Sequence, residues 1–239
     1  MTQKLISIGI WLYSGVLTIA LFLTELFLTL IFPFDKKRKI VHAQCFWWAN
    51  ALIAFNPFWN ITVEGLKNID KQKTYVIVAN HQSLADIIVL YKTRMLFKWV
   101  AKEDLFRVPF IGGCLSLNKH IKLARGEFGS IKKVYHQAAH WLRGGVSVLF
   151  FPEGTRSDND SMNKFQNGAF KLAIKEKKDI LPVCISGTRK AIPKGSWIFN
   201  TKVAGKLKIL PPIETKKFEP GDFVQLRDMV FAKLTEAMA

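Results

Sequence analysis

Three short segments hold most of the side chains in this chain that could do chemistry. His81 and Asp86 stand five residues apart, directly behind the apolar run Tyr75-Val76-Ile77-Val78-Ala79-Asn80. Another apolar run, Val146-Ser147-Val148-Leu149-Phe150-Phe151, ends in Pro152-Glu153-Gly154-Thr155-Arg156-Ser157. Between them, Lys102 closes a third candidate strand over 97–101. An aspartate accepting from one ring nitrogen of a histidine fixes the tautomer and raises the basicity. The other nitrogen is then left to take a hydroxyl proton. An arginine projecting from a glycine turn, as Arg156 does, offers a planar fork that suits phosphate. A base, an orienting acid and a phosphate grip are what acyl transfer onto a phosphate-bearing alcohol requires.

Spacing constrains how the first pair can meet. On an ideal helix, positions five apart are rotated by about 140°, so His81 and Asp86 would not share a face. They meet only if His81 lies in the turn and Asp86 in the first helical turn, with Ser83 as N-cap and Leu84 opening the helix. Taken alone, Asp86 also reads as a capping-box acid and His81 as an ordinary loop histidine. Arg156 likewise reads as a solvated loop arginine, and Lys102 as a surface lysine. Other chemistries fit less well. Gly145-Val146-Ser147-Val148 continues with Leu149, so it is no nucleophile elbow, and no phosphate-loop or dinucleotide glycine pattern is present. His136 and His140 have a metal-binding spacing but lack an intervening glutamate and an evident third ligand. The three cysteines, Cys45, Cys114 and Cys184, are isolated, which favours small core residues in a reducing compartment.

The elements that must position these residues begin near residue 61. There the pattern becomes short apolar runs alternating with helical periods. Strands are expected at 61–64, 75–80, 97–101, 119–124, 146–151, 180–186 and 201–210, and helices at 84–93, 128–143, 167–177 and 221–238. Interleaving of this kind predicts an α/β fold, a mostly parallel central sheet flanked by helices. Chemistry in such sheets collects at the carboxyl ends of the strands, where both opening motifs sit. The chain divides into an N-terminal two-helix membrane anchor, residues 1–59, and an α/β domain, residues 60–239.

The head differs from the body in charge. The chain has 239 residues, 49% of them hydrophobic, and a formal net charge of +17. Residues 1–34 carry only Lys4 and Glu25, so the whole excess lies downstream. Residues 5–32 are almost continuously apolar, with Glu25 as the only charge, and as a helix they would extend about 42 Å, more than the ~30 Å hydrocarbon layer needs. Lys36-Lys37-Arg38-Lys39 follows, then an uncharged segment, 40–59, rich in Trp and Phe. Aromatic residues of this kind favour the membrane–water boundary. The head therefore reads as a spanning helix with an interfacial one, as a hairpin dipping into one leaflet, or as two buried helices of a soluble bundle. A basic body suits an anionic membrane surface, and if the helix spans, the charge order puts the body in the cytoplasm. The expected location is the inner membrane, with the domain on its cytoplasmic side. Nucleic acid is the rival partner for such charge, but no nucleic-acid module is recognisable.

These residues resemble the glycerolipid acyltransferase family, especially the 1-acylglycerol-3-phosphate (lysophosphatidate) acyltransferases. The first family motif is Asn80-His81-Gln82-Ser83 with Asp86. Lys102, Leu105, Pro109, Gly112 and Arg125 resemble the next motif, and Phe151-Pro152-Glu153-Gly154-Thr155-Arg156-Ser157 the third. Ile180-Leu181-Pro182-Val183 is similar to the fourth. The resemblance covers about residues 60 to 215. It departs at Ile121-Lys122-Leu123-Ala124-Arg125, where many members carry Ile-Asp-Arg, which leaves the acceptor headgroup open. It implies transfer of a fatty acyl group without metal or cofactor. The donor would be a thioester on coenzyme A or acyl carrier protein, and the acceptor the 2-hydroxyl of lysophosphatidic acid. His81 would be the general base oriented by Asp86, with no acyl-enzyme. Lys102 and Arg156, with Arg125, would hold the phosphate; Glu153, Gly154 and Thr155 would line the acceptor site. The alternatives are the same chemistry on another lysolipid and a non-catalytic basic membrane protein.

Overall fold

The computed structural model describes residues 2–124, 128–157, 161–193 and 195–238. Two helices lead, α1 (Thr2–Ile31) and α2 (Lys39–Ala54). The body then runs β1 (Trp59–Glu64), β2 (Val76–Ala79), α3 (Ala85–Leu90), β3 (Phe97–Lys102), α4 (Ile111–Leu117), β4 (Ile121–Leu123) and α5 (Phe128–Arg143). It continues through β5 (Ser147–Phe150), α6 (Gly168–Glu176), β6 (Ile180–Ser186), β7 (Val203–Ile209) and α7 (Phe223–Met238). The strands form one seven-stranded sheet in the order β1-β7-β6-β2-β5-β3-β4. Pairing is parallel from β6 to β4. β7 runs antiparallel to β6, and β1 follows β7 in its direction.

Alternation along the central strands decides which layer each residue joins. Ile77, Leu149, Leu181 and Leu207 face one side, where they pack with Val89, Leu90 and Phe97. Val76, Val78, Val148 and Ile180 face the other side, under α5, α6 and α7 through Leu142, Phe170, Leu172, Leu226 and Val230. Such side chains contribute about 1.5–3 kcal/mol each when fully buried. Both faces are covered, as a parallel sheet requires. The mostly parallel α/β sheet and its seven strands agree with the sequence pattern to within two residues at each strand end.

Two features depart from it. The helix expected at 84–93 is α3 followed by a 3₁₀ turn, Tyr91–Thr93, and Arg94 at φ 52° closes it. Leu84 rather than Ser83 stands at its N-cap, and Ser83 Oγ accepts from Ala85 N at 3.3 Å. Helix α4 has no counterpart in the sequence pattern, because Ile111-Gly112-Gly113 has poor helix propensity. Packing dictates it: a Cβ on Gly113 would lie 2.3 Å from the ring of Phe22 in α1. The glycine lets the two helices approach.

The head lies along the body. Ser7 Oγ accepts from Phe199 N at 3.0 Å, and Trp11 Nε1 donates to Trp197 O at 2.7 Å. Further on, Asn118 Nδ2 donates to Glu25 Oε1 at 2.8 Å, beside Cys45 of α2. Glu25, the lone acid of the apolar run, thus faces its partner helix and the body. Asp35 caps α2 by accepting from Lys39 N and Ile40 N, each at 2.8 Å. Leu21, Cys45 and Ala49 belong to the same buried cluster as Ile77 and Leu181. The outer face of α1 exposes Leu5, Ile8, Leu12, Val16, Ile19, Leu23, Phe27 and Leu30, a stripe at helical spacing.

Candidate active site

The segment behind β2 folds as a tight turn around one carboxylate. Asp86 is fully buried, and its Oδ2 accepts from Gln82 N at 2.6 Å, Ser83 N at 2.9 Å and His81 Nδ1 at 2.8 Å. The capping acid and the histidine partner are therefore the same group. The bond to Ser83 N holds the turn open, and the bond to Nδ1 becomes possible because the turn brings His81 back over the helix start. Thr188 Oγ1 donates to Asp86 Oδ1 at 2.5 Å, so four donors surround a carboxylate that water cannot reach. With its proton on Nδ1 and donated to Asp86, the His81 ring presents Nε2 as an acceptor. Its side chain is 15% exposed, which leaves that nitrogen reachable.

The ring is also fixed in its plane. Phe151 stacks on His81 with centroids 4.0 Å apart and planes 13° apart, and Trp99 stacks behind Phe151 at 5.6 Å. Trp99 is itself held by Tyr91, whose hydroxyl accepts from Nε1 at 2.9 Å. The column leaves the imidazole little freedom to swing away from Asp86.

The turn after β5 closes on the same segment. Ser157 N donates to His81 O at 2.9 Å, which seats neighbouring Arg156 beside the histidine. Glu153 is buried beneath them: Oε1 accepts from His81 N at 2.8 Å and Oε2 from Asn163 N at 2.8 Å. Burial pushes the Glu153 carboxyl up from its ordinary range, opposed by these two backbone donors. Gly154, at φ 69°, and Thr155 form the exposed tip of the turn. Lys102 ends β3 and is exposed at the same sheet edge. The sheet order places β5 between β2 and β3, so the turn carrying Arg156 and the strand end carrying Lys102 follow neighbouring strands at the same end of the sheet as His81. Arg125 lies outside the described residues. Lys122, in the segment where the family pattern is broken, sits over the Phe106 ring at 4.9 Å.

Two residues hold the site in ways the sequence did not show: Asn80, known there only as a motif position, and Thr188, which gave no signal. Asn80 is buried and brackets β6: Nδ2 donates to Ile185 O and Oδ1 accepts from Ile185 N, both at 2.7 Å. Thr188 reaches Asp86 across 102 positions of chain. It can do so because Gly187 turns at φ 75°, where a Cβ would lie 1.9 Å from Ala204 O. Only the sheet order shows that β6 ends beside β2.

A histidine oriented by a buried carboxylate, with a cation-bearing turn on one flank, is an arrangement for drawing a proton from an anionic alcohol. Comparison with known proteins identifies the family. The acyltransferase family model matches residues 60–186. A 1-acyl-sn-glycerol-3-phosphate acyltransferase from Pseudomonas aeruginosa is 30% identical over 219 residues, covering 89% of this chain and 82% of the relative. The enzyme of the same name from Chlamydomonas reinhardtii is 36% identical over 195 residues, covering 80% of this chain but 58% of its own. The crystal structure of the 1-acyl-sn-glycerophosphate acyltransferase PlsC from Thermotoga maritima superposes with a TM-score of 0.73 at 26% identity. That match covers 94% of this chain and 95% of that one. The chain belongs to the acyltransferase family.

Proposed function

We propose that the protein transfers a fatty acyl group from an acyl thioester to the sn-2 hydroxyl of 1-acylglycerol 3-phosphate, giving phosphatidic acid. The observation that carries this reading is the 2.8 Å contact between His81 Nδ1 and Asp86, set beside the Arg156 turn in an acyltransferase fold. His81 Nε2 takes the hydroxyl proton as the oxygen attacks the thioester carbonyl. The C–S bond then breaks, and the departing sulfur recovers the proton from the imidazolium. Arg156 and Lys102 hold the acceptor phosphate, and Arg125 is assigned with them by its motif position. Transfer is direct. Ser83 Oγ is buried against Ala85 N, and the free cysteines are buried too, so neither is presented as a nucleophile. Holding the hydroxyl against the carbonyl supplies proximity, and base assistance contributes about 10²–10⁴-fold.

The test is an acceptor and donor panel on the purified protein. Lysophosphatidate is expected to be preferred over lysolipids with larger headgroups, and clear preference for an acceptor without a phosphate rejects the assignment. Arg156→Ala is expected to raise the acceptor KM by about 10–100-fold through loss of a charge-assisted contact, leaving the donor KM nearly unchanged. The opposite ranking removes Arg156 from the phosphate site.

The exposed stripe on α1 supports membrane attachment. Because α1 touches the body from Gln3 to Glu25, we infer that it lies in one leaflet beside the domain rather than crossing alone. The basic body then faces anionic lipid on the cytoplasmic side. Leu12→Glu with Leu23→Glu, both at exposed positions, is expected to abolish flotation with anionic vesicles at high salt. Undiminished flotation would place the anchor elsewhere.

A further inference from the structure

The loop between β3 and α4 contains a strained turn at an exposed aromatic residue. Phe110 stands at φ 60° and ψ −50°, and Ile111 N donates to Pro109 O across it at 2.7 Å. A hydrogen bond over one residue at these angles closes a γ-turn of the rare, strained hand. A large side chain fits positive φ poorly, whereas glycine would take it freely. Strain of this kind persists only where the surroundings fix it, and it collects at functional places. Here they do fix it. Val108 N donates to Leu105 O at 3.3 Å, and Gly112 N to Val108 O at 2.8 Å. The backbone packs so closely that a Cβ on Gly112 would lie 2.1 Å from Phe106 O.

This firmly built loop turns apolar side chains outward. Leu105 and Val108 are 38% exposed, and Phe110 and Ile111 42%. The patch joins another. Phe110 packs edge-to-face on Phe22 of α1, with centroids 5.7 Å apart, and Phe22 lies one turn from the exposed Ile19 and Leu26. The apolar face of α1 thus continues onto the loop through one aromatic contact. Cations accompany it: between β3 and β4, Lys102, Arg107, Lys119 and Lys122 outnumber Glu103 and Asp104. Apolar side chains among surplus cations suit the boundary of an anionic leaflet. The loop also leaves β3 at the end of the sheet where His81 leaves β2. With β5 alone between those parallel strands, their ends are about 10 Å apart.

We propose that residues 105–111 enter the same lipid leaflet as α1, as a second membrane-contacting element beside the active site. A single helix lying in a leaflet leaves the body free to roll about the helix axis. A second contact at the carboxyl end of β3 stops the roll with the His81 end of the sheet turned to the lipid. A lysolipid acceptor then reaches the histidine from the leaflet without crossing water. The inference rests on the placement of α1 in one leaflet given above.

The test labels the full-length protein at one introduced thiol. Cys45, Cys114 and Cys184 are buried, so Val108→Cys, at an exposed position, takes a thiol-reactive fluorophore selectively. On phosphatidylglycerol vesicles with brominated acyl chains, this label is expected to lose most of its fluorescence. A label at Lys217→Cys, exposed in the turn that packs against α6, is expected to lose none. Phe110→Gly keeps the turn and removes the ring, so the melting temperature is expected to hold or rise. Its KM for long-chain lysophosphatidate in vesicles is expected to rise about tenfold, from the lost burial of one aromatic side chain. The KM for a short-chain lysophosphatidate that is monomeric in water stays unchanged. A label at 108 that stays bright on vesicles the protein binds overturns the proposal. So does an unchanged KM for both acceptors, or an equal rise for both, which would make Phe110 a wall of the acceptor pocket. Conversion from oligomer to monomer by Phe110→Gly overturns it too, because the loop would then join copies of the chain. If the unaltered protein does not float with vesicles, the placement of α1 fails and this proposal with it. A protein that floats with the 108 label quenched, yet transfers from no thioester, loses the acyl-transfer reading and keeps this one.

Discussion

His81→Ala lowers kcat by about 10²–10⁴-fold and leaves the melting temperature close to that of the unaltered protein. The loss is that of a general base, and proximity and phosphate binding remain to support a residual rate. Stability changes little because the ring is a ligand of the turn and not its frame. Gln82 N and Ser83 N still hold Asp86 when the imidazole is gone. Asp86→Asn lowers kcat by a similar order for a different reason. The amide can present its N–H to Nδ1, which selects the tautomer with the proton on the nitrogen meant to receive it. The two residues act as one unit, so the double variant is expected to be no slower than His81→Ala. Steady-state kinetics on the four proteins decides it; additive losses, or an active His81→Ala, remove the proposed base.

Glu153→Ala is expected to damage both fold and rate. It orphans His81 N and Asn163 N, each at a cost of about 1–3 kcal/mol. Part of that is returned, because a carboxylate pushed up by burial no longer has to be kept charged inside the protein. A net loss of about 2 kcal/mol lowers the melting temperature by about 4–8 °C for a chain of this size. The rate falls as well, since the peptide of His81 loses its brace, and a shift of about 1 Å at a reacting group costs up to about 10²-fold. Glu153→Gln keeps one acceptor and is expected to fall between. Thermal melting with kcat reads both effects; a Glu153→Ala protein with normal kcat but a raised acceptor KM would make Glu153 a wall of the acceptor pocket instead.

Most of the frame was legible in the sequence because its signals are local. Apolar runs such as 180–186 and 203–209 are bounded by turn residues, and the amphipathic period of 128–143 stops at Gly144-Gly145. The His81–Asp86 pair was legible too, since a turn and a helix start are the only local geometry that joins them. Helix α4 was hidden because its glycines serve contact with Phe22, which propensity cannot express. The roles of Thr188 and Asn80 depend on β6 lying next to β2, a long-range fact. For Glu153, the residue type and turn were visible but its inward direction was not. A glutamate in a polar turn reads as solvated until the backbone N–H it serves is seen.

The helical head has a consequence for how this protein can be handled. Because Leu21, Cys45 and Ala49 roof the sheet over Ile77 and Leu181, cutting the chain before β1 would strip a hydrophobic ceiling from the catalytic layer. The proposed tether to lipid and the lid of the interior are one object. A detergent-free soluble fragment is therefore not to be had by trimming, and a foreign anchor grafted at the same junction would have to reproduce those buried contacts before it could restore a working enzyme.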